Sequence, residues 1–475
     1  MTDTTATAAA LPQAGQSFGS FNYRTYVLLT LTLVYTLNFI DRILITVVGR
    51  PIIDEFGLSN FQFGILSGIG FALFYTLLGI PIASLSERYN RVRIIGVCVI
   101  LWSVATVLCG FTVGFVTLLL ARMLVGVGEA GCTPPANSLI SDYYKPLARP
   151  TALGIYAMGV TAGGLLAQLF GGYIVTEFTW REAFIYVGAP GVIIGIIVLT
   201  TIKEPPRGFS DPPGTQKQER ASFSEAMREI ASKQTFWTMA AGATLAAFAG
   251  YALVGFQPLY IQYAKGFSVG ETAIQFMAPI ALAGTFGAFL GGYLTEHASK
   301  RSPTAACWVP GIAFLLCFPV YAYAFFAPTP VIMLIAMMTA GLLQYFYLGA
   351  QYNIAQAVVS LRVRATSIAI LLFIVNLIGY GAGPPALGIL ADVFANNRLE
   401  SAELAGQLNA SCVPTDASLS PALQAACLDA KAHGVRWANV CATGLFGLAG
   451  LFFLFSGRTL LRDATISLSA KPATT

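Results

Sequence analysis

Four ionisable residues stand where the surrounding sequence carries almost no charge. Asp41 and Arg42 are adjacent in LNFIDRILI (37–45), and Arg122 and Glu129 are seven apart in ARMLVGVGEA (121–130). Neighbours on a helix point about 100° apart, so Asp41 and Arg42 are poorly placed to pair with each other and each needs another partner. Residues seven apart share a face, about 10 Å apart along the axis. A carboxyl in an apolar environment can take up a proton, and a guanidinium matches a phosphate or carboxylate in bidentate fashion. Proton carriage and anion binding are therefore the chemistries this set permits.

Other chemistries are poorly supplied. The two histidines, His297 and His433, lie at segment ends, and no HExxH, phosphate loop or GxSxG with a recognisable partner occurs. Eight cysteines are scattered without a CxxC, so no metal and no cofactor is expected, and an enzyme is not. Cys412 and Cys427 share the one long loop late in the chain. An oxidising compartment would permit them a disulfide, but spacing alone leaves the pairing open.

The elements that hold the four charges follow from composition. The chain has 475 residues, 56% hydrophobic and 10% charged, with mean hydropathy +0.69. Soluble domains carry roughly 25% charged residues, so the chain reads as a membrane protein with the lipid bilayer as its partner. Apolar runs long enough to cross recur at 26–49, 61–83, 92–113, 115–140, 150–176, 182–202, 234–262, 269–294, 305–326, 329–358, 366–394 and 434–457. Twelve crossings return both ends to one side. Nineteen Lys and Arg fall on the side of the termini and six on the other, which predicts both termini in the cytoplasm of a cell (inner) membrane protein. A net charge of +5 with this distribution gives no reason to expect nucleic acid. A monomer is expected.

The fold class is all-α and polytopic, in two pseudo-symmetric six-helix bundles. The expected divisions are a cytoplasmic tail 1–22, a first bundle 23–202, a linker 203–233, a second bundle 234–458 with an outer loop 396–430, and a tail 459–475. Ser222 and Glu225 have capping-box spacing, which predicts a short amphipathic helix in the linker. A weak internal repeat supports the halves: ASLSERYNR (83–91) echoes GYLTEHASK (292–300), and RPTALGI (149–155) echoes RATSIAI (364–370).

Residues 83–91 resemble the major facilitator signature after the second helix, with Ala83 for the first Gly, Glu87 for Asp and Asn90 for the second Gly. Arg122-x-x-x-Gly126-x-Gly128-Glu129-Ala130, ending in Ser141-Asp142, resembles the superfamily's fourth-helix motif. Within the superfamily, NFIDR, VGVGEA, WREAF and KEPPRG together resemble the spinster family, and a bacterial homologue is the reading they favour. The resemblance implies a rocker-switch transporter. It also implies a lysophospholipid- or sphingoid-like amphipath as substrate, with protons coupled to its movement. It further implies a cytoplasmic gate of Glu87, Arg88, Arg91 and Asp142, in which Glu87 and Arg91 meet Asp142 and the start of the eleventh helix.

Counting inward from the outer ends puts Asp41 level with Arg122, and Glu129 about 10 Å deeper with no base at its own level. Asp41 is thus expected to pair with Arg122, and Glu129, with Asp41, to carry the coupling proton. Arg42, Arg122 and Asn38 are expected to hold the anionic headgroup. Tyr347 and Gln351, in the uncharged polar run QYFYLGAQYN (344–353), are expected to meet substrate from the second half. Two other functions fit the same residues: a proton-coupled carrier of a small organic anion, and a proton-independent uniporter. The plainest alternative is a lock, four charges that only pack the first helix onto the fourth. Glycine pairs at small-xxx-small spacing in the second, fifth, eighth and eleventh helices suggest sliding contacts between the halves, or ordinary packing.

Overall fold

The computed structural model describes residues 17–211, 222–404 and 406–464. Residues 1–16 of the expected tail, Lys217 and Arg220 of the linker, and Lys471 lie outside the described residues. Twelve helical spans cross the molecule: α1 Phe21–Val47, α2 Asn60–Ser86, α3 Arg91–Cys109, α4 Phe115–Tyr143, α5 Arg149–Glu177, α6 Trp180–Thr201, α7 Gln234–Lys265, α8 Val269–Ser299, α9 Ala305–Ala324, α10 Pro330–Ala357, α11 Arg364–Ser401 and α12 Pro421–Asp463. Only a helix satisfies its backbone groups within one segment in lipid, so these apolar runs have little alternative. Side chains place the starts: Ser20, Ser59, Asn90, Thr179, Ser268, Thr329 and Ser420 stand at N-caps.

α1–α6 and α7–α12 form two bundles. Both ends of the described chain lie on one side, here the terminal face; the other is the opposite face. The linker helix forms over Phe223–Ala231 with the expected capping box of Ser222 and Glu225. It is docked on the second bundle, where its Glu229 accepts from the Ser360 amide and hydroxyl.

The long late loop is shorter than its composition suggests. α11 continues to Ser401 and α12 begins at Pro421, behind the Ser420 cap, so Cys427 and Lys431 lie on α12 rather than in a loop. Cys412 and Cys427 are joined in a disulfide.

The bundles meet tightly near the opposite face. α2 breaks at Gly68, and a Cβ at Gly64 or Gly68 would sit 2.5 Å from the Pro384 carbonyl or 2.9 Å from the Gly381 carbonyl of α11. Across α5 and α8, Gly172 lies against Ala273 and Gly270 against Thr176. The other glycine pairs read from sequence do not line this interface. Gly159 and Gly163 seat α1, Gly287 and Gly291 seat α10, and Gly379 and Gly383 seat α7, all within their own bundles. Spacing reports a close helix approach but not which helix approaches. Two of the helices of the second bundle that face the first contain a π-helical turn, Thr272–Met277 in α8 and Val375–Tyr380 in α11.

Candidate functional site

α1 and α4 run antiparallel, and two glycines sink α4 into the first bundle. A Cβ at Gly126 would lie 2.6 Å from the Phe71 carbonyl, and one at Gly128 2.7 Å from the Trp102 amide nitrogen. This close approach buries Arg122 and Glu129 completely, both at 0% exposure. The four charges then meet in two pairs. Arg122 Nη1 lies 3.6 Å from Asp41 Oδ1 and donates to the Asp41 backbone carbonyl at 3.4 Å. Arg42 Nε donates to Glu129 Oε2 at 2.6 Å.

The first pair matches the sequence expectation; the second corrects it, because Glu129 has a base at hand. Counting Cα levels missed the direction of the side chains. Side chains lean toward the N-terminus of their helix. On α1 that direction is toward the terminal face, and on α4 it is toward the opposite face, so Arg42 and Glu129 lean toward each other and close the gap.

The two pairs differ in strength. The 2.6 Å contact is a charge-assisted hydrogen bond, whereas 3.6 Å is beyond hydrogen-bond reach. Asp41 is held instead by the Thr106 hydroxyl on its Oδ2, and its Oδ1 has no hydrogen-bond partner. Arg122 Nε and Nη2, Arg42 Nη2, Glu129 Oε1 and both amide atoms of Asn38 are likewise buried without one. With all four ionised the cluster is neutral, which is what allows it in an apolar interior.

Aromatic rings complete the surroundings. The Arg42 guanidinium lies 4.2 Å from the Tyr75 ring centroid and 4.9 Å from those of Phe39 and Phe71. A cavity of about 20 Å³, room for about one water, adjoins Arg42. Its walls come from both bundles: Phe39, Arg42, Ile43, Thr46 and Ser67 on one side, Tyr251, Val254 and Tyr380 on the other. Tyr380 stacks near Tyr251 (4.4 Å) and faces Phe71 across the interface (5.6 Å).

The structure does not bring Tyr347 and Gln351 to this cluster. Tyr347 is buried between Phe314 and Phe453 inside the second bundle, and Gln351 is buried with its Oε1 unpartnered. Tyr75, Phe71, Thr106 and Tyr380 escaped the sequence reading. The string GYGAGPP (379–385) held the one signal for Tyr380, a polar ring in a break-prone stretch of an apolar span.

At the terminal face, Arg91 is 1% exposed and all three of its guanidinium nitrogens are engaged within its own bundle and the linker start. Nε meets Glu204 Oε1 (2.6 Å), Nη1 meets Asp142 Oδ2 and Ser138 Oγ (2.9 Å), and Nη2 meets the Pro205 carbonyl (3.1 Å). Asp142 also accepts from the Gly208 amide, and Arg207 donates to the Ser86 and Tyr89 carbonyls. Glu87 and Arg88 are exposed. The expected reach of Arg91 to the start of α11 is not made, because Glu204 and Pro205 of the linker occupy the donors that would make it. At the opposite face, hydrogen bonds join the two bundles: Arg50 to the Gln262 carbonyl, and Asn60 and Phe61 to Asp392.

The remaining family-like string is also explained by contacts. In WREAF, Trp180 Nε1 and Arg181 Nη1 both donate to Glu55 Oε2 (2.6 and 2.7 Å), pinning the short opposite-face helix Gly49–Phe56 onto α6. These hydrogen bonds, Arg181's first, hold the Glu55 carboxyl below the usual range.

The chain is similar to known proteins along most of its length. The family model of the Major Facilitator Superfamily matches residues 31–384. A solved bacterial homologue of the human lysosomal transporter spinster, inward-facing and unoccupied, is 43% identical with a TM-score of 0.88, over 94% of this chain and 100% of that one. An MFS-type efflux pump of Mycolicibacterium smegmatis is 27% identical over 76% of this chain and 83% of its own length. Protein spinster of Drosophila melanogaster is 29% identical over 63% of this chain and 50% of its own. A probable sulfoacetate transporter of Cupriavidus necator is 29% identical over 59% of this chain and 66% of its own length.

Proposed function

This chain belongs to the Major Facilitator Superfamily of transporters, and from that premise we propose that it moves a lysophospholipid- or sphingoid-like amphipath by alternating access, coupled to protons. The observation that carries the reading is Arg42, bonded to Glu129 on one edge and ringed by Phe39, Phe71 and Tyr75 on its faces. Protonation of Glu129 cancels the charge that holds Arg42 and frees the guanidinium for an anionic headgroup. Proton and anion then load into the same state. Arg122, which shares the Phe71 ring with Arg42, and Asn38, one turn before Arg42, have unused donors for the same headgroup. The wall from the second bundle, Tyr251, Val254 and Tyr380, is uncharged and suits an apolar body. The substrate class is the one the spinster resemblance implies, and the 43% identity to the solved spinster homologue supports it.

Asp41 is the second proton site in this reading, because its partner Arg122 stands at 3.6 Å and releases it at less cost. The terminal face is cytoplasmic, in keeping with the excess of Lys and Arg there. With the bundles joined at the opposite face, the state described is inward-facing. Arg91 and Asp142 are the cytoplasmic gate, with Glu87 and Arg88 at its rim.

One observation favours a second reading, a small organic anion. Two guanidiniums with free donors suit a compact dianion, and a probable sulfoacetate transporter is among the relatives. Thermal-shift titration of the purified protein separates the two. Stabilisation by lysolipids at concentrations where small carboxylates and sulfonates do nothing supports the amphipath. The reverse pattern replaces it with the organic anion.

A further inference from the structure

Resting on the alternating-access reading, we infer that Asp392 is the latch of the opposite-face gate: a carboxylate of one bundle that caps a helix of the other. α2 begins at Asn60, and its N-cap Ser59 takes the Gln62 amide. The first amides of the helix are left without an intrahelical partner. Asp392, near the far end of α11, accepts from both: Asn60 N to Oδ1 at 3.0 Å and Phe61 N to Oδ2 at 3.0 Å. The Asn60 side chain adds a third bond to Oδ1 at 2.8 Å. A carboxylate at a helix N-terminus also meets the positive end of the helix dipole.

The approach is specific to this pairing of helices. One turn before Asp392, Gly388 packs so closely on the Asn60 backbone that a side chain there collides with the Asn60 carbonyl. Beside the cap, Arg50 donates to the Gln262 carbonyl (3.4 Å) and lies 5.0 Å from the Tyr263 ring. Asp54 pairs with Arg50 at 3.5 Å, and the buried Lys431 of α12 feels both Asp54 and Asp392. Charges of the two bundles thus interleave around the capped helix end. When the bundles part on this face, α2 keeps Ser59 but loses Asp392, and three donors exchange one carboxylate for water. The terminal face is built otherwise, since Arg91 keeps its partners within one bundle and the linker. The latch therefore biases one gate only.

The test is double electron–electron resonance between spin labels at Val113 and Pro328, exposed opposite-face positions of the two bundles. The exposed Cys441 is replaced by Ala, and the protein is studied in liposomes. Asp392→Asn keeps one acceptor but turns an amide against a donor. Losing about one charge-assisted hydrogen bond raises the open-to-closed ratio about tenfold. A merely structural residue lowers the unfolding temperature and leaves the distance distribution unchanged, and that result overturns the proposal. If Asp392→Asn does not yield folded protein, Asn60→Ala removes the side-chain bond alone and gives a smaller shift of the same sign; no shift overturns it. Wild-type distances that ignore pH and lysolipid refute alternating access itself, and the latch with it. Wild-type distances that move, with Asp392→Asn superimposed on them, refute the latch alone.

Discussion

The two buried pairs predict unequal coupling energies. At an effective dielectric of about 20, opposite charges 2.6 Å apart attract by about 6 kcal/mol before desolvation, and at 3.6 Å by about 5. The gross terms are close, so hydrogen bonding decides. Arg42–Glu129 adds a charge-assisted bond with a net value of about 1.5–3 kcal/mol, which the longer pair lacks. Removing one partner of a buried pair costs about 3–5 kcal/mol because the other charge is stranded. Removing both costs less than the two single changes together. Two double-mutant cycles measure this, one with Arg42→Met and Glu129→Gln, the other with Arg122→Met and Asp41→Asn. The readout is reversible unfolding in detergent followed by tryptophan fluorescence. The expected coupling is about 3 kcal/mol for Arg42–Glu129 and about 1 kcal/mol for Arg122–Asp41. Equal coupling, or the opposite order, refutes the claim that Arg42 is the guanidinium Glu129 restrains.

Three further outcomes follow from the same contacts. Arg91→Ala strands Asp142 and Glu204, costing about 3 kcal/mol; limited proteolysis at Lys203 and Arg207 should quicken as the linker start detaches, and an unchanged digestion pattern contradicts it. Gly64→Ala puts a Cβ 2.5 Å from the Pro384 carbonyl, so an impermeant thiol reagent added on the opposite face should label a Ser67→Cys reporter faster, while Gly79→Ala, which meets nothing, should not change it. Burial of Asp54 raises its carboxyl above the ordinary value, with Lys431 and Arg50 opposing. A carboxyl raised in the closed state favours closure when protonated, and that contribution is lost as pH rises through its closed-state pKa. Acidification should therefore shorten the Val113–Pro328 distance, and Asp54→Asn should flatten that response; an undiminished response assigns it to other groups.

Span count and the two-bundle plan were legible because an apolar run of bilayer length has one stable outcome in lipid. The pairing of Asp41 with Arg122 was legible too, since both lie at nearly one depth on antiparallel helices. Arg42–Glu129 was not, because Cα counting ignores the lean of long side chains. The opposite-face latch was equally hidden: Asp392 and Asn60 are 332 positions apart and gain meaning only when α11 crosses the start of α2. Cys427 read as a loop residue because α12 extends well before its apolar run. Glycine spacing gave the close approaches and misassigned most of their partners. The KEPPRG string read as a family-like string at the start of the linker; its contacts were not legible, and Glu204 and Arg207 tie it to the first bundle.

Proton flux in liposomes tests the central claim most directly. With a pH dye inside, lysolipid added to wild-type proteoliposomes should drive proton movement, and Glu129→Gln should abolish it while the variant stays folded. Lysolipid movement without proton flux contradicts the account and makes the protein a uniporter, with the four charges a binding site or a lock between α1 and α4; flux that survives Glu129→Gln unchanged contradicts the assignment of the proton to Glu129.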